Sequence, residues 1–316
     1  MPEPDEALRD FATDAGWSRA SFEAVEGDLS PRSYFRLKEG RQSAILMDSR
    51  SDRDVARRFV RVGDWLTVSG VSAPAILFGR EDDGLLLCED FGNYSATKLL
   101  ASDPAFEAEF DTAAVDLLLT LRNGIPPDLP CPDPRDLAAM TSLADDFYPG
   151  ADGHALALFR DCLQAILLKL DGPVTVSLRD FHADNILWLP DRQGVRRMGL
   201  IDFQDAFLAH PVYDLVSLLT DARTEVPRDR RARVIENYAR RSGDDMRTLL
   251  PAFSAYSAQR NLRILGIFHR AAAQGRPQHL PKVPRVRRYL VEALDHPQFD
   301  AVREATLAAL PEGVPA

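Results

Sequence analysis

The feature that most constrains the fold of this chain is a change of hydrophobic period near Phe91-Gly92-Asn93. Before that point apolar residues come in short strand-like runs; after it they recur at spacings of three and four, as in helices that bury one face. Strands are expected at Ser21 to Val25, Ser33 to Lys38 and Ser43 to Asp48, the last two joined as a hairpin through Glu39-Gly-Arg41. A helix is expected over Asp54 to Val68, stopped at Ser69-Gly70, and two more strands at Ala75 to Phe78 and Leu85 to Cys88. Helices are then expected at Phe106 to Arg122, Arg135 to Phe147, His154 to Leu170, Tyr213 to Thr220, Asp229 to Arg241, Pro251 to Ala273 and Arg285 to Leu294. One later strand region interrupts them, made of Val174 to Ser177, Ile186 to Leu189 and Arg197 to Ile201. The fold class is therefore α+β: a small β-rich lobe over residues 1–92 and a large α-helical lobe over residues 93–316.

Composition narrows the functional classes. A net charge of −10 over 316 residues disfavours a broad nucleic-acid surface, which needs a basic face, and points to a small-molecule partner. No run of about 18 apolar residues is present, so no membrane span is expected. The acidic start Met1-Pro-Glu-Pro-Asp-Glu does not resemble a secretory signal, and a cytoplasmic monomer is expected. Cys88, Cys131 and Cys162 form no CxxC pair and are expected as buried free thiols.

The chemistry is concentrated in Leu178-Arg-Asp180-Phe-His182-Ala-Asp184-Asn185-Ile-Leu187, followed after a hairpin by Ile201-Asp202-Phe203. Phosphoryl transfer asks little covalent chemistry of a protein. It needs a carboxylate to orient the nucleophile and hard oxygen ligands for Mg²⁺. Asp180, Asn185 and Asp202 have the residue types and spacing for those tasks. Each alone reads equally well as a turn or cap residue, so the joint pattern carries the inference.

These motifs, with His210-Pro-x-x-Asp214-Leu, resemble the aminoglycoside phosphotransferase and choline kinase family, a branch of the protein-kinase-like bilobal fold. The resemblance implies ATP and Mg²⁺ as cofactors, a nucleotide-binding lobe at 1–92, and a catalytic and substrate-binding lobe at 93–316. It implies Asp180 as catalytic base, Asn185 and Asp202 as metal ligands, and His182 and Asp214 as supports of the loop. Longer segments are similar to the anomeric kinases of N-acetylmuramate and N-acetylglucosamine in cell-wall recycling. They include Gly27-Asp-Leu-Ser-Pro-Arg-Ser-Tyr-Phe-Arg36, Asp202-Phe-Gln-Asp-Ala206 and Gln259-Arg-Asn-Leu-Arg-Ile-Leu-Gly266. Leu178-Arg179 before the catalytic Asp is shared with that subgroup.

One departure concerns the third strand, where the wider family presents a Lys or Arg to the phosphates and Ala44-Ile-Leu-Met-Asp48 offers none. Ser30, Arg32 and Arg36 are the expected replacements, because hydroxyl groups and guanidinium forks suit phosphate. Glu89 and Asp90 mark the segment expected to pass the adenine. Polar residues in otherwise apolar stretches are the sugar candidates: Asp205, Asp221, Arg223, Gln259, Arg260 and Asn261, with Asp205, Arg223, Gln259 and Arg260 preferred. Trp188 is expected in the core. Two rival readings stand beside the sugar kinase: a kinase of aminoglycosides or choline, and a nucleotide-binding pseudokinase suggested by the missing strand lysine.

Overall fold

The computed structural model describes residues 3–25, 32–170 and 172–311. Its strands are β1 (Ser21–Val25), β2 (Ser33–Glu39), β3 (Gln42–Asp48), β4 (Ile76–Arg80), β5 (Leu85–Glu89), β6 (Thr175–Ser177), β7 (Ile186–Trp188), β8 (Met198–Leu200) and β9 (Phe207–Ala209). Its helices are α1 (Glu6–Asp14), α2 (Asp54–Val68), α3 (Ala96–Ser102), α4 (Phe106–Asn123), α5 (Pro134–Ala139), α6 (Leu143–Phe147), α7 (Gly153–Leu167), α8 (Val212–Leu219), α9 (Arg228–Ser242), α10 (Met246–Ala273), α11 (Val283–Leu294) and α12 (Arg303–Ala308). The chain divides into two compact units. The first comprises Met1–Leu117, Ile125–Pro127 and Asn185–Ala206; the second comprises Leu118–Gly124, Asp128–Asp184 and Phe207–Ala316. The boundary expected near residue 92 follows the end of the sheet, but the first unit continues through α3 and most of α4 and regains the β7–β8 hairpin.

The first unit is built on an antiparallel sheet in the order β1-β2-β3-β5-β4. The β2–β3 hairpin pairs Glu39 with Gln42 and turns through Gly40 at φ +62°, a left-handed conformation that glycine adopts without a Cβ clash. One face of the sheet carries Phe35, Leu37, Ala44, Leu46, Leu85 and Leu87 and is covered by Leu8, Phe11 and Ala12 of α1. Ala44 and Leu46 are thus committed to the core of this sheet. Helix α1 escapes sequence reading because it buries so few positions. Its stability comes from the sheet: Leu8 and Phe11 each contribute about 1.5–3 kcal/mol by leaving water. Trp188 is buried as expected, edge-on to Phe106 with centroids 4.8 Å apart.

The second unit is mostly helical, with a two-stranded ladder in which β6 pairs with β9 rather than with β7 or β8. Strand β9 was not expected, since three residues are too few to show an alternation. The helix expected over Arg135 to Phe147 is broken. Asp133 and Asp136 form a capping box that starts α5, and the buried Thr141 hydroxyl donates to the Ala138 carbonyl within the 3₁₀ turn Met140–Ser142. Helix α10 begins before Pro251, at an Asp245 cap that accepts from the Arg247 N–H.

Gly266 on α10 explains part of the Gln259-to-Gly266 motif. A Cβ there would lie 2.5 Å from the Leu143 carbonyl carbon and 2.6 Å from the Ala144 nitrogen. Glycine costs a helix about 1 kcal/mol relative to alanine, so its use here reflects the close approach of α6. Gly266→Ala is expected to lose about 1–3 kcal/mol by overpacking, read as a lower urea midpoint.

Of the three cysteines, Cys88 is buried, and burial pushes its thiol up to about 12. Cys131 is exposed and Cys162 half-buried, against the expectation of three buried thiols. Cys131 sits in the extended connection before α5, outside any packed element.

Candidate active site

In the second unit, β6 ends at Ser177 and the chain reverses at Arg179, whose φ of 70° is unusual for a residue with a side chain. Such a conformation costs about 1–3 kcal/mol and persists only when its surroundings hold it. Here the surroundings are Asp214, from the first turn of α8, and Arg260, from α10. Asp214 Oδ2 accepts from the Leu178 N–H at 2.7 Å, and Oδ1 from Ser177 Oγ at 2.7 Å and the Arg179 N–H at 3.1 Å. The Arg179 carbonyl accepts from Arg260 Nη1 at 2.5 Å and from Ser217 Oγ at 3.3 Å. Burial pushes the Asp214 carboxyl up to about 6, while the three donors favour its ionised form.

That clamp presents Asp180. Arg260 Nη2 lies 3.3 Å from Asp180 Oδ1; the arginine side chain is 5 % exposed and the aspartate side chain 43 %. The Arg260 guanidinium also stands 5.6 Å from the Tyr213 ring centroid. Burial would raise the Asp180 carboxyl, but Arg260, His182, Arg263 and Arg179 outweigh it and hold the group well below the usual carboxylate range. Asp180 is therefore ionised and held in place. His182 is buried, and its backbone N–H donates to the Asp180 carbonyl at 3.1 Å.

In the first unit, the β7–β8 hairpin pairs Ile186 with Leu200 and Trp188 with Met198. The Asn185 carbonyl accepts the Ile201 N–H at 3.1 Å, which sets Asn185 beside the chain leading into Asp202. Asp202 takes φ 59°, and Phe203 is buried against α2, stacking on Phe59 with centroids 4.6 Å apart. Arg32 Nη2 donates to Asp202 Oδ1 at 2.8 Å and Gln204 Nε2 to the same oxygen at 3.0 Å. The Asp202 side chain is 37 % exposed. Carboxylate and amide oxygens suit Mg²⁺, which keeps waters and phosphate oxygens in its shell and needs only one or two ligands from a protein. Asn185 and Asp202 offer an amide and a carboxylate oxygen, the donor chemistry that ion takes.

The other expected site residues fall into different places. Ser30 lies outside the described residues. Arg32 is 8 % exposed at the side chain and tied to Asp202. Arg36, expected at the phosphates, is spent on the segment after β5: Nε approaches Asp90 Oδ2 at 2.7 Å, Nη2 donates to Asp90 Oδ1 at 3.0 Å and to the Gly92 carbonyl at 3.1 Å, and Nη1 donates to Asn93 Oδ1 at 2.7 Å. It braces that segment. The Glu89 side chain accepts from Arg192 at 2.5 Å, and Asp90 also accepts the Gly92 N–H at 2.9 Å.

The sugar candidates do not converge as one set. Asp205 belongs to the first unit, near Gln204 at 3.1 Å and Arg58 at 3.7 Å. Gln259 is fully buried and donates to the Leu137 carbonyl at 2.8 Å, tying α10 to α5; this is a core role and corrects its expected place at a substrate. Asn261 is equally buried and donates to the Ser257 carbonyl one turn back. Arg260 supports the loop of Asp180. Arg223 remains near that loop, its Nε 3.6 Å from Asp184 Oδ2. Ser177 and Ser217 escaped sequence reading, because a hydroxyl that anchors a backbone turn has no signature of its own.

The chain is 33% identical to an N-acetylmuramate/N-acetylglucosamine kinase of Caulobacter vibrioides, over 91% of this chain and 92% of that one. It is 29% identical to the enzyme of the same name from Pseudomonas aeruginosa, over 99% and 96%. A solved choline/ethanolamine kinase family protein of Mesorhizobium loti superposes with a TM-score of 0.63 at 17% identity, covering 96% of this chain and 99% of its own, which shows the fold. Residues 21–252 match the model of the APH group, described as the phosphotransferase enzyme family. That span takes in the sheet, the braced loop of Asp180, the hairpin between Asn185 and Asp202, and α8: the chain belongs to the phosphotransferase enzyme family.

Proposed function

We propose that this phosphotransferase is an ATP-dependent, Mg²⁺-requiring kinase that phosphorylates the anomeric hydroxyl of N-acetylmuramate or N-acetylglucosamine, within cell-wall recycling. The observation that carries the reading is the held, ionised Asp180, in a chain similar nearly end to end to kinases named for those sugars.

Asp180 accepts a hydrogen bond from the acceptor hydroxyl and aligns its oxygen for attack. A carboxylate held well below its usual range is a weak base, so little proton transfer precedes bond formation. That suits a loose transition state, in which the nucleophile carries little charge until late, and an anomeric hydroxyl, which is more acidic than an ordinary alcohol. As the oxygen bonds to phosphorus and the bond to ADP breaks, the hydroxyl proton passes to Asp180 and then to solvent. Asn185 and Asp202 would hold Mg²⁺, which neutralises phosphate charge when bound. Arg32, already beside Asp202, supplies the positive charge that β3 lacks.

The reading is tested by ATP consumption with N-acetylmuramate, N-acetylglucosamine, choline and kanamycin in parallel, with the phosphate position read by NMR. Turnover of an N-acetyl sugar to its 1-phosphate supports it; turnover of choline or kanamycin alone overturns it.

Arg260 is assigned here to the loop rather than to the sugar. Arg260→Met is expected to lower kcat by roughly 10–100-fold, the worth of a hydrogen bond to a charged group, with the sugar KM changed less than about threefold. A rise confined to the sugar KM would return Arg260 to substrate binding.

A further inference from the structure

Asp221 lies just past the C-terminus of α8 and is 3 % exposed. Its Oδ1 accepts the Arg223 N–H at 2.8 Å, whereas Oδ2 is buried with no hydrogen-bond partner among the described residues. A carboxylate oxygen withdrawn from water without a donor is costly, and folded proteins leave few such atoms unmet. The segment that carries it is firmly held, because Arg285 Nη1 donates to both the Ala222 and the Arg223 carbonyl at 2.8 Å. Asp221 also belongs to the neighbourhood of Asp180. The charges that act on it are those of Arg223, Asp184 and Arg260, and Arg260 touches Asp180 while Arg223 reaches Asp184 on the same loop.

Counted with Asp180 and the other arginines that act on it, Arg179 and Arg263, the carboxylates Asp180, Asp184 and Asp221 face the guanidinium groups of Arg179, Arg223, Arg260 and Arg263, so the group holds no excess of acid. Such a group holds a polar hydroxyl ligand better than a free cation, which would need an excess of acid. We infer that Asp221 recognises the acceptor, its Oδ2 accepting a hydrogen bond from a ring hydroxyl of the sugar. The assignment rests on the sugar-kinase reading and adds the residue that selects the acceptor. Hydroxyl recognition by a buried, otherwise unmet group discriminates strongly, because an analogue lacking the hydroxyl leaves the group unpaired again.

The test compares wild type and Asp221→Asn with N-acetylglucosamine and with its 3-, 4- and 6-deoxy analogues, measuring KM for sugar and for ATP together with kcat. Asparagine keeps the shape and the Arg223 contact and removes a buried charge, so the variant is expected to fold. Should it not, Asp221→Ser, shorter and still able to accept the Arg223 N–H, takes its place. Expected are a rise of at least about tenfold in the sugar KM, an ATP KM within about twofold, and one deoxy analogue whose KM the substitution no longer changes. A sugar KM within about twofold of wild type, or equal losses for the parent sugar and every analogue, overturns the assignment. Absence of wild-type turnover with any N-acetyl sugar would instead overturn the proposed function.

Discussion

Asp180→Asn is expected to lower kcat by about 10²–10⁴-fold, the usual contribution of a positioned proton acceptor, while ATP affinity stays within about threefold. The substitution is a clean one. Asparagine retains an oxygen at the position of Oδ1, so the Arg260 contact at 3.3 Å and the left-handed turn at Arg179 persist. What is lost is the negative charge that, in the proposed reaction, attracts the acceptor hydroxyl and receives its proton. Because Arg260 and the other arginines beside it hold the native carboxylate well below its usual range, the loss should be nearly flat across the neutral range rather than rescued at high pH. Steady-state kinetics with saturating ATP and sugar, alongside calorimetric ATP binding, provide the measurement. A fall in kcat smaller than about tenfold, roughly 1.4 kcal/mol, would mean that another group serves the hydroxyl.

Asp202→Asn is the second large effect. Asparagine is one of the few residues that tolerates a left-handed conformation, so the turn at φ 59° and the seat of Phe203 against α2 should survive. The carboxylate charge does not. On its proposed role Asp202 would hold Mg²⁺, whose charge stabilisation is worth several kcal/mol; with that ligand weakened, kcat is expected to fall at least about a hundredfold, with a several-fold rise in the Mg²⁺ concentration for half-maximal rate. Arg32→Met, measured alongside, separates the metal from the ion pair, since it removes the 2.8 Å contact and leaves the Asp202 carboxylate intact. If Asp202→Asn keeps wild-type activity and Mg²⁺ dependence, Asp202 is a turn residue and no more.

Legibility in the sequence follows the range of the interaction. Helix α2 was readable to its ends, because Val55, Phe59, Val62 and Leu66 share one face and Gly70 takes the positive φ that stops it. The β2–β3 hairpin was equally plain, its register fixed by a short turn around Gly40. Helix α1 and strand β9 were not readable. One has three buried positions and the other has three residues, and each is stabilised by what it packs or pairs against. Residue type misled where a polar side chain had several uses. Arg36 suits a phosphate, yet its fork is filled by Asp90, Gly92 and Asn93; Gln259 suits a sugar, yet it lies fully buried against Leu137. A guanidinium or an amide advertises its chemistry in the sequence but not its partner.

Asp180, Asn185 and Asp202, the oxygen-bearing residues proposed for the reaction, could be named from the sequence, because a short loop followed by a short hairpin is a pattern of the local chain. Only the packed fold shows what holds Asp180 in place and ionised. Arg260 lies 80 positions further along the chain, and Asp214 stands 36 positions from the Leu178 amide that it accepts. Contacts of that range exist only once α8 and α10 have packed behind the loop. Their geometry follows from the packing of side chains on several elements at once, which no local pattern encodes.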